Sequence, residues 1–117
     1  MIQNSLTPFF SPRGISIIGA SSHPEKLGYG VARNLIQSGY TGALHLVNPK
    51  GGEVFERKML KTISEIPDPV DLAILVIPAK YAPETMRACG ERGIKATILV
   101  SGGFRETGEE GAELENE

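Results

Sequence analysis

The fold of this chain is decided by residues 14–30, which read GISIIGASSHPEKLGYG. The run at 15–18 is short and apolar, as in a parallel strand that is buried on both faces. Gly19 and a small polar loop interrupt this run, and the chain resumes at Gly28 as the start of a helix. Glycines let a backbone approach a ligand, and the free N–H groups at a helix start favour negative charge. The stretch therefore predicts a strand, a phosphate-holding loop and a helix.

The composition is that of an ordinary globular domain. Of 117 residues, 40% are apolar and 22% are charged, so we expect one domain over residues 1–117 with a single core. A formal net charge of −2 provides no general attraction to nucleic acid or to an anionic membrane. The single cysteine and the lack of an export signal at the N-terminus favour a cytoplasmic location, with no nucleic-acid or membrane partner.

Further apolar runs follow and alternate with segments of helical spacing. The predicted strands cover residues 14–19, 43–47, 72–77 and 96–100. The predicted helices cover residues 29–38 and a segment from Pro83 to Arg92. Strands that are apolar on both faces and alternate with helices indicate an α/β fold, a Rossmann-like three-layer domain with a mainly parallel sheet.

The segments outside these elements are predicted to be irregular. Prolines are expected to keep residues 1–13 in an extended lead-in that packs Phe9 and Phe10 on the sheet. Residues 53–69 are the least regular part of the chain, with one helical turn at 64–66.

The ends of the four predicted strands share one composition. They are rich in glycine, proline, serine and lysine, and they cover residues 19–22, 47–52, 77–80 and 100–104. Because the carboxyl ends of parallel strands lie along one edge of a sheet, these segments are expected to meet there. Open α/β sheets bind ligands at that edge, which predicts the site.

The glycine loop departs from the fingerprint of NAD-binding domains. That fingerprint is Gly-x-Gly-x-x-Gly, with an acidic residue near the end of the second strand. Here the loop glycines are Gly19, Gly28 and Gly30, and the second strand is followed by Asn48 and Lys50. A lysine at this place suits a nucleotide with an extra phosphate on its ribose, as in NADP or coenzyme A.

Six short motifs occur in a fixed order. They read IIGAS, GY, VNPK, IPDPVDLA, VIPAK and SGGFxExGEEG, and together they cover the chain from about residue 9 to about residue 113. This series resembles the N-terminal CoA-binding domain of NDP-forming acyl-CoA synthetases, the ADP-forming acetate–CoA ligase group related to the succinyl-CoA synthetase α chain. Each motif alone is weak, but six in register are specific.

The resemblance implies that coenzyme A contacts the strand ends. The first loop would hold the phosphates and the pantetheine, and the second would hold the adenosine and its 3′-phosphate. The third loop would flank the adenine or the pantetheine, and the fourth would line the side toward the thiol. The implied contact residues are Gly19, Ala20, Ser21, Ser22, Gly28, Tyr29, Val47, Asn48, Pro49, Lys50, Val76, Ile77, Pro78, Ser101, Gly102, Gly103 and Phe104.

The resemblance also implies a longer parent protein. In this family a phosphorylated histidine lies in a following domain, and an ATP-grasp domain lies further on or on a second subunit. ADP or ATP and Mg²⁺ would bind in those parts, so this chain is expected to bind coenzyme A without catalysing a reaction. The parent would convert acyl-CoA, ADP and phosphate into acid, CoA and ATP.

The family's domain has one more strand than this chain contains. If that strand is absent, residues 97–100 are expected to form an apolar strand edge that invites pairing with a second copy of the chain, as in a homo-oligomer.

Two other functions stay open from the residues. One is an NAD(P)-binding Rossmann module of an oxidoreductase or a redox sensor, and the other is a CoA-binding-like regulatory domain fused to a protein acetyltransferase. Lys26 is a further candidate for the diphosphate, whereas His23 is interpreted as an exposed loop residue. Cys89 is predicted to be a packed core thiol, and His45 has no neighbours that would complete a metal site. No catalytic residue is predicted.

Overall fold

The computed structural model describes residues 7–100, which form a four-stranded parallel sheet with helices on both faces. The elements are α1 (Thr7–Phe10), β1 (Gly14–Ile18), α2 (Leu27–Gln37), β2 (Ala43–Val47), β3 (Glu53–Val54), β4 (Arg57–Lys58), β5 (Leu72–Leu75), α3 (Ala82–Arg92) and β6 (Ala96–Leu99). Single 3₁₀ turns lie at Ile63–Glu65 and at Ala79–Tyr81. The architecture confirms the predicted Rossmann-like α/β class.

The strand order of the main sheet is β2-β1-β5-β6. All three pairings are parallel, and β1 is buried along its whole length between β2 and β5. The chain leaves β1 toward β2 and then returns to the other side of β1 as β5. This change of direction creates a crevice at the carboxyl ends of β1 and β5, the kind of place where such sheets bind ligands.

The core has one half on each face of the sheet. On one face Ile17 and Leu46 pack with Ala32 of α2. On the other face Leu75 packs with Cys89 of α3. Cys89 is fully buried, as predicted, and burial raises the pKa of its thiol. Successive residues of a strand point to opposite faces, so these apolar runs support both layers of helices.

The predicted helices and strands are present, with ends that shift by one or two residues. β1 ends at Ile18 because Gly19 turns out of the strand with a φ of 101°. Helix α2 begins at Leu27, two residues before the predicted start. Helix α3 ends at Arg92, and the following Gly93 has a φ of 92°, the left-handed conformation that commonly closes a helix.

The expected extended lead-in was wrong for part of its length. Residues Thr7–Phe10 form a single helical turn, because Pro8 stands in the first turn, where a missing N–H costs no hydrogen bond. Phe9 and Phe10 do not pack into the sheet, and 75% of Phe10 is exposed.

A small hairpin forms in the segment that was predicted to be irregular. Strands β3 and β4 pair antiparallel around Phe55 and Glu56, whose φ values are 56° and 62°. Two-residue hairpin turns of this kind usually carry Asn-Gly or Asp-Gly, so the sequence holds no signal for it. The ring centroids of Phe55 and Tyr29 lie 4.7 Å apart, which places the turn against α2. The single helical turn expected at 64–66 is present one residue earlier, at Ile63–Glu65.

An ion pair joins the amino-terminal ends of the strands. Asp71 accepts hydrogen bonds from Arg13, at 2.9 Å from its backbone N, 3.0 Å from Nε and 2.8 Å from Nη2. The hydrogen bonds and the positive charge of Arg13 lower the pKa of Asp71 to about 2. This edge of the sheet is therefore fixed by its own side chains.

Within residues 7–100, every helix is too short or too polar for a membrane crossing.

Candidate functional site

A cleft of about 400 Å³ lies at the carboxyl ends of β1, β2 and β5. Its wall contains backbone, two lysines and several apolar side chains, but no carboxylate from the described part of the chain. The lining residues are Gly19, Ala20, Ser21, Ser22, His23, Lys26, Leu27, Gly28, Asn48, Lys50, Gly51, Met59, Val76, Ile77 and Pro78. The cleft coincides with the crevice that the strand order creates.

The loop after β1 folds closely onto its neighbours. The backbone N–H groups of Gly19 and Ala20 both donate to the carbonyl oxygen of Val47, at 2.9 and 3.1 Å. A Cβ atom at Gly19 would lie 2.1 Å from the carbonyl oxygen of Val76. Only glycine therefore allows the loop to lie between the ends of β2 and β5.

The start of helix α2 faces this loop. Gly28 packs against Gly19, since a Cβ atom at Gly28 would lie 2.0 Å from the Gly19 carbonyl oxygen. No side chain caps the helix at Lys26. Within residues 7–100, the backbone N–H groups of Ser21, Ser22, Leu27 and Gly28 have no acceptor. Unpaired N–H groups and the helix dipole make this part of the cleft attractive to an anion.

The loop after β2 is organised by the side chain of Asn48. Its Nδ2 donates to the carbonyl oxygen of Ala20 at 2.7 Å, and its Oδ1 accepts the backbone N–H of Lys50 at 2.8 Å. The Asn48 carbonyl accepts the N–H of Gly51 at 2.8 Å. Asn48 thus joins the two loops and holds the backbone of Lys50 at the edge of the cleft. The Lys50 side chain is exposed and has no ion-pair partner among the described residues.

The third wall of the cleft is apolar. Val76, Ile77 and Pro78 follow β5 and are half-buried, and the buried Met59, which directly follows β4, adds a fourth apolar residue to the lining. Leu27, at the start of α2, is 40% exposed although it is a large apolar side chain. Exposed apolar side chains beside a polar cleft gain burial when a ligand with an apolar part binds.

Most of the predicted site residues in the described part of the chain line the cleft. Three do not: Tyr29 stacks on Phe55, Val47 is a core side chain that contributes only its carbonyl, and Pro49 lies outside the lining. The predicted residues Ser101, Gly102, Gly103 and Phe104 lie outside the described residues.

The cleft also contains residues that the predicted set lacks. Gly51 directly follows a predicted residue, and His23 and Leu27 belong to the opening stretch of sequence, where Lys26 was already a candidate. Met59 reaches the cleft only because of the hairpin, so the sequence contains no signal for it. In the described part of the chain, no three histidine, cysteine, aspartate or glutamate side chains come together as metal ligands would.

Comparison with known proteins identifies the family to which this chain belongs. A family profile described as a CoA binding domain matches residues 13–116. The chain belongs to the CoA binding domain family. The resemblance drawn from the six motifs is therefore confirmed, and the chain is a CoA-binding domain of the type found in ADP-forming acyl-CoA synthetases.

Relatives of this CoA-binding domain are larger proteins. The alpha subunit of acetate–CoA ligase [ADP-forming] I from Pyrococcus furiosus is 44% identical, over 97% of this chain and 25% of that protein. A protein of known crystal structure from Pyrococcus horikoshii OT3 is 46% identical with a TM-score of 0.76, over 95% of this chain and 25% of that one. The apo form of dinucleotide-forming acetyl-coenzyme A synthetase 1 from Ca. Korarchaeum cryptofilum is 33% identical with a TM-score of 0.78. The match covers 92% of this chain and 24% of that one. The chain spans about a quarter of the length of these relatives.

Proposed function

We propose that the cleft binds coenzyme A across the ends of β1, β2 and β5. The diphosphate would lie on the β1 loop and the start of α2, and the 3′-phosphate of the ribose would lie at Lys50. The pantetheine would follow the apolar wall at 76–78. The observation that supports this most directly is the group of unpaired N–H donors beside Lys26 in a cleft lined by no described carboxylate.

The diphosphate position follows from the donors and the charge of the first loop. Ser21, Ser22, Leu27 and Gly28 each offer an N–H group with no acceptor in the described part of the chain. The exposed ammonium of Lys26 adds a full positive charge beside them. Hydrogen bonds to a charged acceptor contribute about 1.5–3 kcal/mol each, more than bonds to neutral groups, so this loop can hold a diphosphate.

The position of the ribose phosphate follows from the second loop. The Asn48 side chain fixes the turn that carries Lys50, so the lysine is presented at one place on the edge. An acidic residue here would repel a phosphate and would instead bind free ribose hydroxyl groups. The lysine therefore favours a nucleotide with a phosphorylated ribose.

We further propose that the parent protein is an ADP-forming acyl-CoA synthetase. Within it, this domain would present the thiol of coenzyme A to an acyl phosphate, and the remaining domains or a second subunit would supply the nucleotide and Mg²⁺. The relatives described above support a synthetase over a regulatory domain fused to an acetyltransferase. On its own the chain is expected to bind coenzyme A and to form no acyl-CoA.

NADP is the second candidate ligand, because its 2′-phosphate would also suit Lys50. Calorimetric titration of the protein with CoA, dephospho-CoA, NAD and NADP separates the candidates. We expect CoA to bind and dephospho-CoA to bind about 1.5 kcal/mol more weakly, at the lower end of the charge-assisted range because Lys50 is exposed. Binding of NADP without CoA would overturn the proposal.

A matched pair of variants tests the role of Lys50. Lys50→Gln should remove most of the difference between CoA and dephospho-CoA, because the 3′-phosphate loses its cation. Lys95→Gln removes the same charge from an exposed residue near Asp71, at the opposite edge of the sheet, and should leave the difference unchanged. Equal CoA affinities for Lys50→Gln and the unsubstituted protein would exclude Lys50 from the phosphate site.

A further inference from the structure

Lys61 lies beside the loop that carries Lys50, although it does not line the cleft. Its aliphatic chain packs along Gly51, where a Cβ atom would lie 3.0 Å from Cε and 3.6 Å from Cγ of Lys61. Because Nζ is bonded to Cε, the ammonium group of Lys61 lies within one further bond of the Gly51 surface. Gly51 is buried and lines the cleft next to Lys50, so Lys61 brings a second cation to this part of its rim.

The backbone beneath Lys61 is held in place from both sides. Leu60 extends the sheet beyond β2, since its N–H donates to the carbonyl of Leu46 and its carbonyl accepts the N–H of Asn48, both at 2.8 Å. On the other side, the N–H of Lys61 donates to Oε1 of Glu65 at 3.0 Å. The Lys61 side chain therefore starts from a fixed position. It follows Leu60, which pairs with β2, and β2 leads into the loop that carries Lys50.

The charge of Lys61 has no partner in the described part of the chain. The ion pairs within residues 7–100 are Arg13–Asp71 and Arg92–Asp68. The nearby carboxylate of Glu65 accepts the N–H groups of Lys61 and Thr62 instead of pairing with the ammonium. Lys50 precedes Gly51 in the chain and the stem of Lys61 packs on Gly51, so two cations without ion-pair partners among the described residues lie beside this glycine, in a chain of formal net charge −2. Two neighbouring cations repel each other in the free protein. An anion that binds between them removes this repulsion and attracts both, so its binding is favourable.

We propose that Lys61 is a second phosphate-binding lysine, which with Lys50 brackets the 3′-phosphate of coenzyme A across Gly51. This inference rests on the proposed function, and it explains how an exposed site could distinguish phosphorylated from unphosphorylated ribose. A phosphate group offers three acceptor oxygens, so one ammonium does not use them all. Cations on two separate segments contact the phosphate from two directions, whereas NAD and dephospho-CoA offer neither of them a partner.

Lys61→Gln tests this role, because glutamine keeps the Cβ and Cγ methylenes beside Gly51 and removes the charge. Lys58→Gln is the matched control: Lys58 is an exposed lysine of β4 that lies opposite Glu53, and it does not line the cleft. At low ionic strength we expect Lys61→Gln to lower the affinity for CoA about fivefold, which corresponds to the upper range for an exposed ion pair. Its affinity for dephospho-CoA should stay within about twofold, and Lys58→Gln should affect both ligands equally.

The outcomes separate this inference from the proposed function. If the unsubstituted protein binds no CoA, both are overturned. If it binds CoA but Lys61→Gln weakens CoA and dephospho-CoA by the same factor, or weakens neither, then only the role of Lys61 is overturned. A double variant, Lys50→Gln with Lys61→Gln, should bind CoA and dephospho-CoA with equal affinity. Thermal unfolding of each variant verifies that the fold is retained.

Discussion

Glu56 stands in a backbone conformation that suits glycine better than glutamate. Its φ is 62°, and left-handed backbone costs a residue with a side chain about 1 kcal/mol. We expect Glu56→Gly to raise the free energy of unfolding by about 0.5–1 kcal/mol, measured by urea denaturation. Glu53→Gly, in strand β3 of the same hairpin, should lower it, because glycine weakens a strand. A Glu56→Gly variant that is less stable than the unsubstituted protein would contradict this account.

Individual site residues could be predicted where the backbone alone decides the contact. Gly19, predicted as a coenzyme A contact, lines the cleft, because a turn out of a buried strand next to other strand ends leaves no room for a side chain. The placement of Val47 could not be predicted in the same way, since its position at a strand end does not reveal that its side chain enters the core while its carbonyl holds the loop. Sequence locates the strand end but not the direction of each side chain.

Helix α2 contains two glycines with opposite requirements. Gly28 packs on the Gly19 carbonyl, whereas a Cβ atom at Gly30 would meet nothing within 4 Å. Gly30→Ala should therefore stabilise the protein by about 0.5–1 kcal/mol, the propensity difference in a helix, and should leave CoA affinity unchanged. Gly28→Ala should destabilise it and weaken CoA at least tenfold (about 1.4 kcal/mol), because the start of the helix must move away from the β1 loop. Thermal unfolding and CoA titration of both variants measure this, and equal effects would show that the close packing of Gly28 is unimportant.

The elements of the main sheet could be predicted because their signal is local. β1 and β5 are apolar on both faces, and α2 and α3 show helical spacing, so each was predicted to within a few residues. The hairpin of β3 and β4 was missed because its stability comes from tertiary contacts: Val54 packs with the α2 face of the core, and Phe55 lies on Tyr29. A two-residue strand carries too few residues to show a period of its own.

At the scale of the whole molecule, the two edges of the sheet have different roles. The carboxyl edge is left open, with unpaired donors and lysines in the described part of the chain, and the cleft lies at this edge, where the alternation of strands and helices predicted a ligand site. The amino edge is closed by the contacts of Arg13 with Asp71 and by the hydroxyl of Tyr40, which donates to the Pro12 carbonyl at 2.9 Å. The sequence could not predict that ion pair, because 58 residues separate its partners.

Because the two edges are separate, a substitution of Asp71 is expected to change the free energy of unfolding without changing the affinity for CoA. We expect Asp71→Asn to lower the free energy of unfolding at pH 7 by about 1–2 kcal/mol, less than the whole pKa shift corresponds to because 71% of the Arg13 side chain is exposed. The folded-state pKa of about 2 lies below the ordinary 3.8, so this stability is fully present above pH 4 and is lost as the pH falls toward 2. The difference in unfolding free energy between the two proteins should therefore shrink over that interval. CoA affinity at pH 7 should stay within about twofold, since the pair lies at the edge away from the cleft. A stability difference that is constant from pH 7 to pH 2 would show that the carboxylate charge contributes nothing, and a large loss of CoA affinity would show that the two edges are coupled.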